Sequence, residues 1–152
     1  MELNTFGAAL KFVMDLETRA IETFEKAYQF TEDPESRKVL LALIDENRVR
    51  KAALERLYND SVFSDMDTGI FEPIRRLEAT DYLITSETGR RSGFFELLSG
   101  AKDIEEKSSK FYIDLGNEIR SRLRGAARTL EKMAKKNAER SVRIESILGQ
   151  NS

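Results

Sequence analysis

The chain has 152 residues, 34% of them charged, a formal net charge of -2, and neither cysteine nor histidine. That composition excludes disulfide frameworks, Cys/His zinc sites, imidazole-held haem, thiol nucleophiles and histidine general bases, while the length suits one domain, spanning 1–152, that buries its own core. No uncharged run approaches the roughly 20 residues of a membrane span, and the opening MELNTFGAALKF sets Glu2 before its apolar run without a small-residue cleavage pattern; the expectation is a soluble, cytoplasmic protein with no membrane partner.

The first predicted helix covers 4–30. Its stripe, in steps of four and three, is Phe6, Leu10, Val13, Glu17, Ala20, Phe24 and Ala27, the pattern of a core-facing helix. Glu17 interrupts it, and a carboxylate inside a seam is costly unless paired, protonated or bound to a metal. The second helix opens at TEDPESRKVL, with Asp33 as N-cap and Pro34 in the first helical position, and covers 34–58. Its short approach loop makes the first two helices an antiparallel hairpin. The segment 59–93 is less periodic and reads as a long crossover holding a short helix near 73–77; its SETGRRSG stretch is a loop rather than a phosphate cradle.

The third helix is predicted at 94–119 and the fourth at 125–148. Adding 88 to the first stripe gives Phe94, Leu98, Ala101, Glu105, Ser108, Tyr112 and Leu115, so Glu105 repeats Glu17 at one level of an aligned apolar frame. The second stripe reads Val39, Leu43, Glu46, then Val49 or Arg50, Ala53 and Leu57. The fourth reads Leu130, Ala134, Asn137, then Arg140 or Ser141, Ile144 and Leu148. An offset of 91 sets Glu46 beside Asn137 and Val49 beside Arg140, and the halves look like a duplicated helical hairpin. The central layer is then Glu17, Glu46, Val49, Glu105, Asn137 and Arg140. The alternatives are that each glutamate faces solvent, that Arg140 reaches out of the bundle while Ser141 takes the seam, and that the Tyr112 hydroxyl meets the polar layer.

The stretches LETRAIETFEKAY, IEEKSSKFYIDLG, DENRVRKAALERLY and KKNAERSVRIESIL resemble the first, third, second and fourth helices of the ferritin-like superfamily, in its rubrerythrin-like branch. The fold class implied is an all-α, ferritin-like four-helix bundle of two hairpins joined by a long crossover. By that resemblance Glu17 and Glu105 stand where the two single metal-binding glutamates belong, and Glu46 where a Glu-x-x-His motif begins. Val49 takes the place of its histidine, while Asn137 and Arg140 replace the second motif. The metal positions carried over are thus Glu17, Glu46, Glu105 and Asn137, with Arg140 as counter-charge.

Three carboxylates and an amide form a hard, all-oxygen set unlike an imidazole-bearing iron site. An inward guanidinium opposes a cation and neutralises carboxylates instead. One arginine does not balance three carboxylates, so at least one of them is expected to have a raised pKa or a watery surrounding. The resemblance therefore implies a protein that has lost di-iron redox activity, carries no cofactor, and acts by binding a partner or associating with itself. The alternative is a metal-binding oxidoreductase or iron-handling protein that uses an atypical carboxylate site for iron or another divalent ion.

From Arg120 onward nine basic residues face three acidic ones, against -8 for the first 119 residues. The expected reading is a basic helix beside acidic neighbours rather than a nucleic-acid surface, because that stretch has no aromatic residue for stacking on bases.

Overall fold

The computed structural model describes residues 2–62, 73–82, 93–121 and 123–150. Strand β1 (Glu2–Thr5) leads into α1 (Phe6–Phe30), followed by α2 (Pro34–Val62), strand β2 (Pro73–Glu78), a 3-10 turn (Ala79–Tyr82), α3 (Phe94–Ile119) and α4 (Arg124–Gln150). The four helices lie close to their predicted spans. None of the described helices is long and apolar enough to cross a membrane.

Local chemistry sets the helix ends. Thr5 caps α1 by accepting from the Ala8 amide at 3.2 Å, which satisfies one of the donors a helix start leaves without a partner. Asp33 caps α2 through the Ser36 amide at 2.9 Å and the Ser36 hydroxyl at 2.8 Å. Arg37 Nε donates to the Thr31 carbonyl at 2.6 Å and its guanidinium lies over the Tyr28 ring. These contacts fix the short turn that folds α2 back along α1.

One expectation fails in the crossover. Residues 73–78 form a strand, not a short helix, and pair antiparallel with β1, Leu3 opposite Leu77 and Glu2 opposite Glu78. Pro73 is tolerated because it opens the strand, where its missing N–H breaks no internal ladder bond. Ile74 and Leu77 are buried, and that burial is what a solvent-facing helical turn would not supply. The rest of the predicted crossover, 63–72 and 83–92, lies outside the described residues.

Helix α1 packs on α2, α3 on α4, and α1 on α3, while α2 and α4 meet more sparsely than these three pairs. The apolar core forms two clusters. One holds Phe6, Leu10, Val13, Phe111, Leu115 and Leu130, capped by β1, β2 and Tyr82; the other holds Phe24, Leu40, Leu43, Leu98, Ile104 and Ile144. Each large apolar side chain so buried contributes about 1.5–3 kcal/mol. Between the clusters lies a layer of buried charge.

Candidate functional site

The layer draws one or two side chains from every helix: Glu17 from α1, Asn47 and Arg50 from α2, Glu105 and Tyr112 from α3, and Arg140 from α4, all buried. The α1 and α3 stripes behave as their spacing predicts. Every member is buried except Phe94, which is half-buried, so Glu17 and Glu105 point inward at matching levels.

Two carboxylates are matched by two guanidiniums. Arg140 holds Glu105 at two points, Nε to Oε2 at 3.0 Å and Nη2 to Oε1 at 2.8 Å. Arg50 Nη1 donates to Glu17 Oε1 at 3.0 Å and, at 3.4 Å, to Glu105 Oε2. Asn47 Nδ2 donates to Glu17 Oε2 at 2.7 Å and to Glu105 Oε1 at 3.1 Å, while Asn47 Oδ1 accepts from Arg140 Nη2. The Tyr112 hydroxyl donates to Glu17 Oε1, and its ring lies beneath the Arg50 guanidinium. Charged hydrogen bonds of this kind are the strong ones.

The two carboxyls respond differently to burial. Burial pushes the Glu17 carboxyl above its ordinary value, and the Glu105 carboxylate adds to this against the pull of Arg50. For Glu105 burial acts the same way, but the two-point contact with Arg140 outweighs it and holds the carboxyl below its ordinary value. Burial and the adjacent Glu17 charge push the Tyr112 phenol well up, so it stays a neutral donor. Burial opposes the charge of Arg50, yet the Glu17 carboxylate more than compensates and holds it protonated.

Helix α2 departs from its predicted register. Val49 is 68% exposed, and Glu46 lies at the rim with a 43% exposed side chain, gripped by Arg143 Nη2 at 2.5 and 2.6 Å and 3.5 Å from Arg140 Nη1. Neither belongs to the interior. The buried line is Leu40, Leu43, Asn47, Arg50 and Leu54; it keeps Leu43 of the predicted stripe, takes Arg50 rather than Val49, and lies one residue later at 40, 47 and 54. The run VLLALI is apolar on all sides, so hydrophobicity alone does not fix which face turns inward. In α4, Arg140 and not Ser141 takes the seam. The side chain of Asn137 lies outside the described residues.

A signal for the correct register was present. Asn47-Arg-Val-Arg50 and Asn137-Ala-Glu-Arg140 are the same Asn-x-x-Arg motif, 90 residues apart. Aligning α2 with α4 on this motif, rather than at an offset of 91, brings Asn47 and Arg50 to the levels of Asn137 and Arg140.

Comparison of the chain with family models, with curated proteins and with solved structures returns no match. The chemistry of the layer is thus read from its own residues. Among the described residues no group of three or more carboxylates converges in a way that could hold a metal ion. On the α2–α4 side the layer borders a groove of about 390 Å³, lined in part by Arg50 and Arg140.

Proposed function

We propose that this chain is a rubrerythrin-related, ferritin-like bundle whose di-iron chemistry has been replaced by a self-neutralising ion network, and that it acts as a binding or scaffold protein. The ligand pattern of that family is one glutamate from each of two helices and Glu-x-x-His from each of the other two. Here the single glutamates correspond to Glu17 and Glu105, and both Glu-x-x-His positions read Asn-x-x-Arg, at 47/50 and 137/140. Both halves carry the same replacement, as expected of a duplicated hairpin.

The residues present do not fit a pair of irons. Each carboxylate of the layer already accepts from the Asn47 amide and from a guanidinium. A guanidinium does not give up its proton in a protein, so a cation entering the layer meets two fixed positive charges. The single observation that carries this reading is the two-point contact of Arg140 with Glu105, which occupies both oxygens of a carboxylate that a metal would need.

Metal analysis of protein made in iron-supplemented medium tests the proposal. Substoichiometric iron is the expected result, with no rise in melting temperature on adding iron(II), since specific binding to the native state stabilises it. Two irons per chain would overturn the reading.

A further inference from the structure

The groove between α2 and α4 has a feature that the ion network leaves unexplained. A guanidinium carries five N–H donors. Among the described residues the side-chain hydrogen bonds of Arg50 run through Nη1, to Glu17 and Glu105, and its Nε and Nη2 donors have no partner there. Arg50 is nevertheless only 7% exposed, and it lines the groove. Buried donors without partners are rare and call for an explanation.

The rest of the lining points the same way. Lys132 and Lys136 are exposed at the groove and form no ion pair among the described residues. The acidic residues of the rim are engaged, Glu46 by Arg143 and Asp45 by Arg48 at 3.7 Å. Free positive charge and free donors therefore coincide. Val49, Ala53 and Met133 add an apolar wall, and Val49 is the most exposed large apolar side chain among the described residues. A cleft of about 390 Å³ is in the range of small-molecule sites, which combine apolar walls with a few convergent polar groups.

We propose that this groove binds a small amphipathic carboxylate, whose head group takes the unused Arg50 donors and the Lys132 and Lys136 ammonium groups while its apolar part lies along Val49, Ala53 and Met133. A planar carboxylate matches the guanidinium fork, and the apolar wall disfavours a bare inorganic anion. The inference rests on the binding-protein reading above. Iron content and carboxylate binding are separate measurements, so either can fail without the other.

Calorimetric titration of the full chain with octanoate tests it, with inorganic phosphate and octylammonium as the head-group and chain controls. One octanoate per chain is expected, bound at least about tenfold more tightly than either control. Because removal of Arg50 threatens the fold, the lysines are changed instead. The pair Lys132→Gln and Lys136→Gln should weaken octanoate by about three- to tenfold without altering the melting temperature of the free protein. Octanoate should also shift the NMR resonance of the Arg50 Nε–H. No heat at millimolar octanoate, equal binding of octylammonium or phosphate, or binding that leaves both the lysine variants and the Arg50 resonance unaffected would overturn the proposal.

Discussion

Arg140 and Glu105 meet face to face inside the bundle, each about 1% exposed, through two hydrogen bonds of 2.8 and 3.0 Å. The contact ties α4 to α3 where water is excluded, so each charge is compensated by the other. Breaking such a pair from one side costs about 3–5 kcal/mol, because the surviving charge stays buried. Arg140→Met should therefore destabilise by that amount in urea unfolding. Combining it with Glu105→Leu should recover a large part of the loss, since a buried pair replaced by apolar groups is often neutral.

The two buried carboxyls should give stability profiles of opposite slope. Glu105 has a depressed folded-state pKa, so its contribution is present above the ordinary value of 4.5 and is lost as pH falls through the folded value. The Glu17 pKa is raised; its contribution is complete below 4.5 and is lost as pH rises through the folded value. Urea unfolding from acid to neutral pH checks both signs. The stability of the native sequence relative to Glu105→Gln should grow with pH, and relative to Glu17→Gln it should shrink.

The register of α2 can be tested directly. Asn47 serves three partners, Glu17, Glu105 and Arg140. Asn47→Leu should cost roughly 1–3 kcal/mol for each buried group it leaves without a substitute. Glu46→Gln alters a half-exposed ion pair with Arg143 and should change stability by less than about 1 kcal/mol. Equal effects at the two positions would put Glu46 in the interior after all.

Much of this arrangement was legible in the sequence, and the exceptions have physical causes. The stripes of α1 and α3 alternate cleanly between apolar and polar positions, so Glu17 and Glu105 are found by counting. For α2, apolar residues at 39, 40, 41, 43 and 44 surround the helix. The face is then chosen by where Asn47 and Arg50 find partners, and that depends on the other helices. Arg140 against Ser141 is the same kind of choice, decided by the carboxylate waiting on α3. Strand β2 has no local signature, because PIRRLE lacks sustained alternation and its pairing partner lies near the start of the chain.

Writing Glu-x-x-His into α2 and α4 tests the proposed relationship constructively. Asn47→Glu, Arg50→His, Asn137→Glu and Arg140→His together place a Glu-x-x-His motif on each of α2 and α4. The folded quadruple variant should take up iron(II). A variant with Val49→His in place of the changes at 47 and 50 should not, because position 49 faces outward.

In the folded chain the Arg50 and Arg140 guanidinium groups are bonded to Glu17 and Glu105 at the centre of the layer. A crystal grown with iron(II), with diffraction measured at the iron absorption edge, shows whether a metal can displace them. No anomalous peak is expected in the layer, with Arg50 and Arg140 still bonded to their carboxylates. An iron peak bridging Glu17 and Glu105, with the arginines turned away, would contradict that expectation.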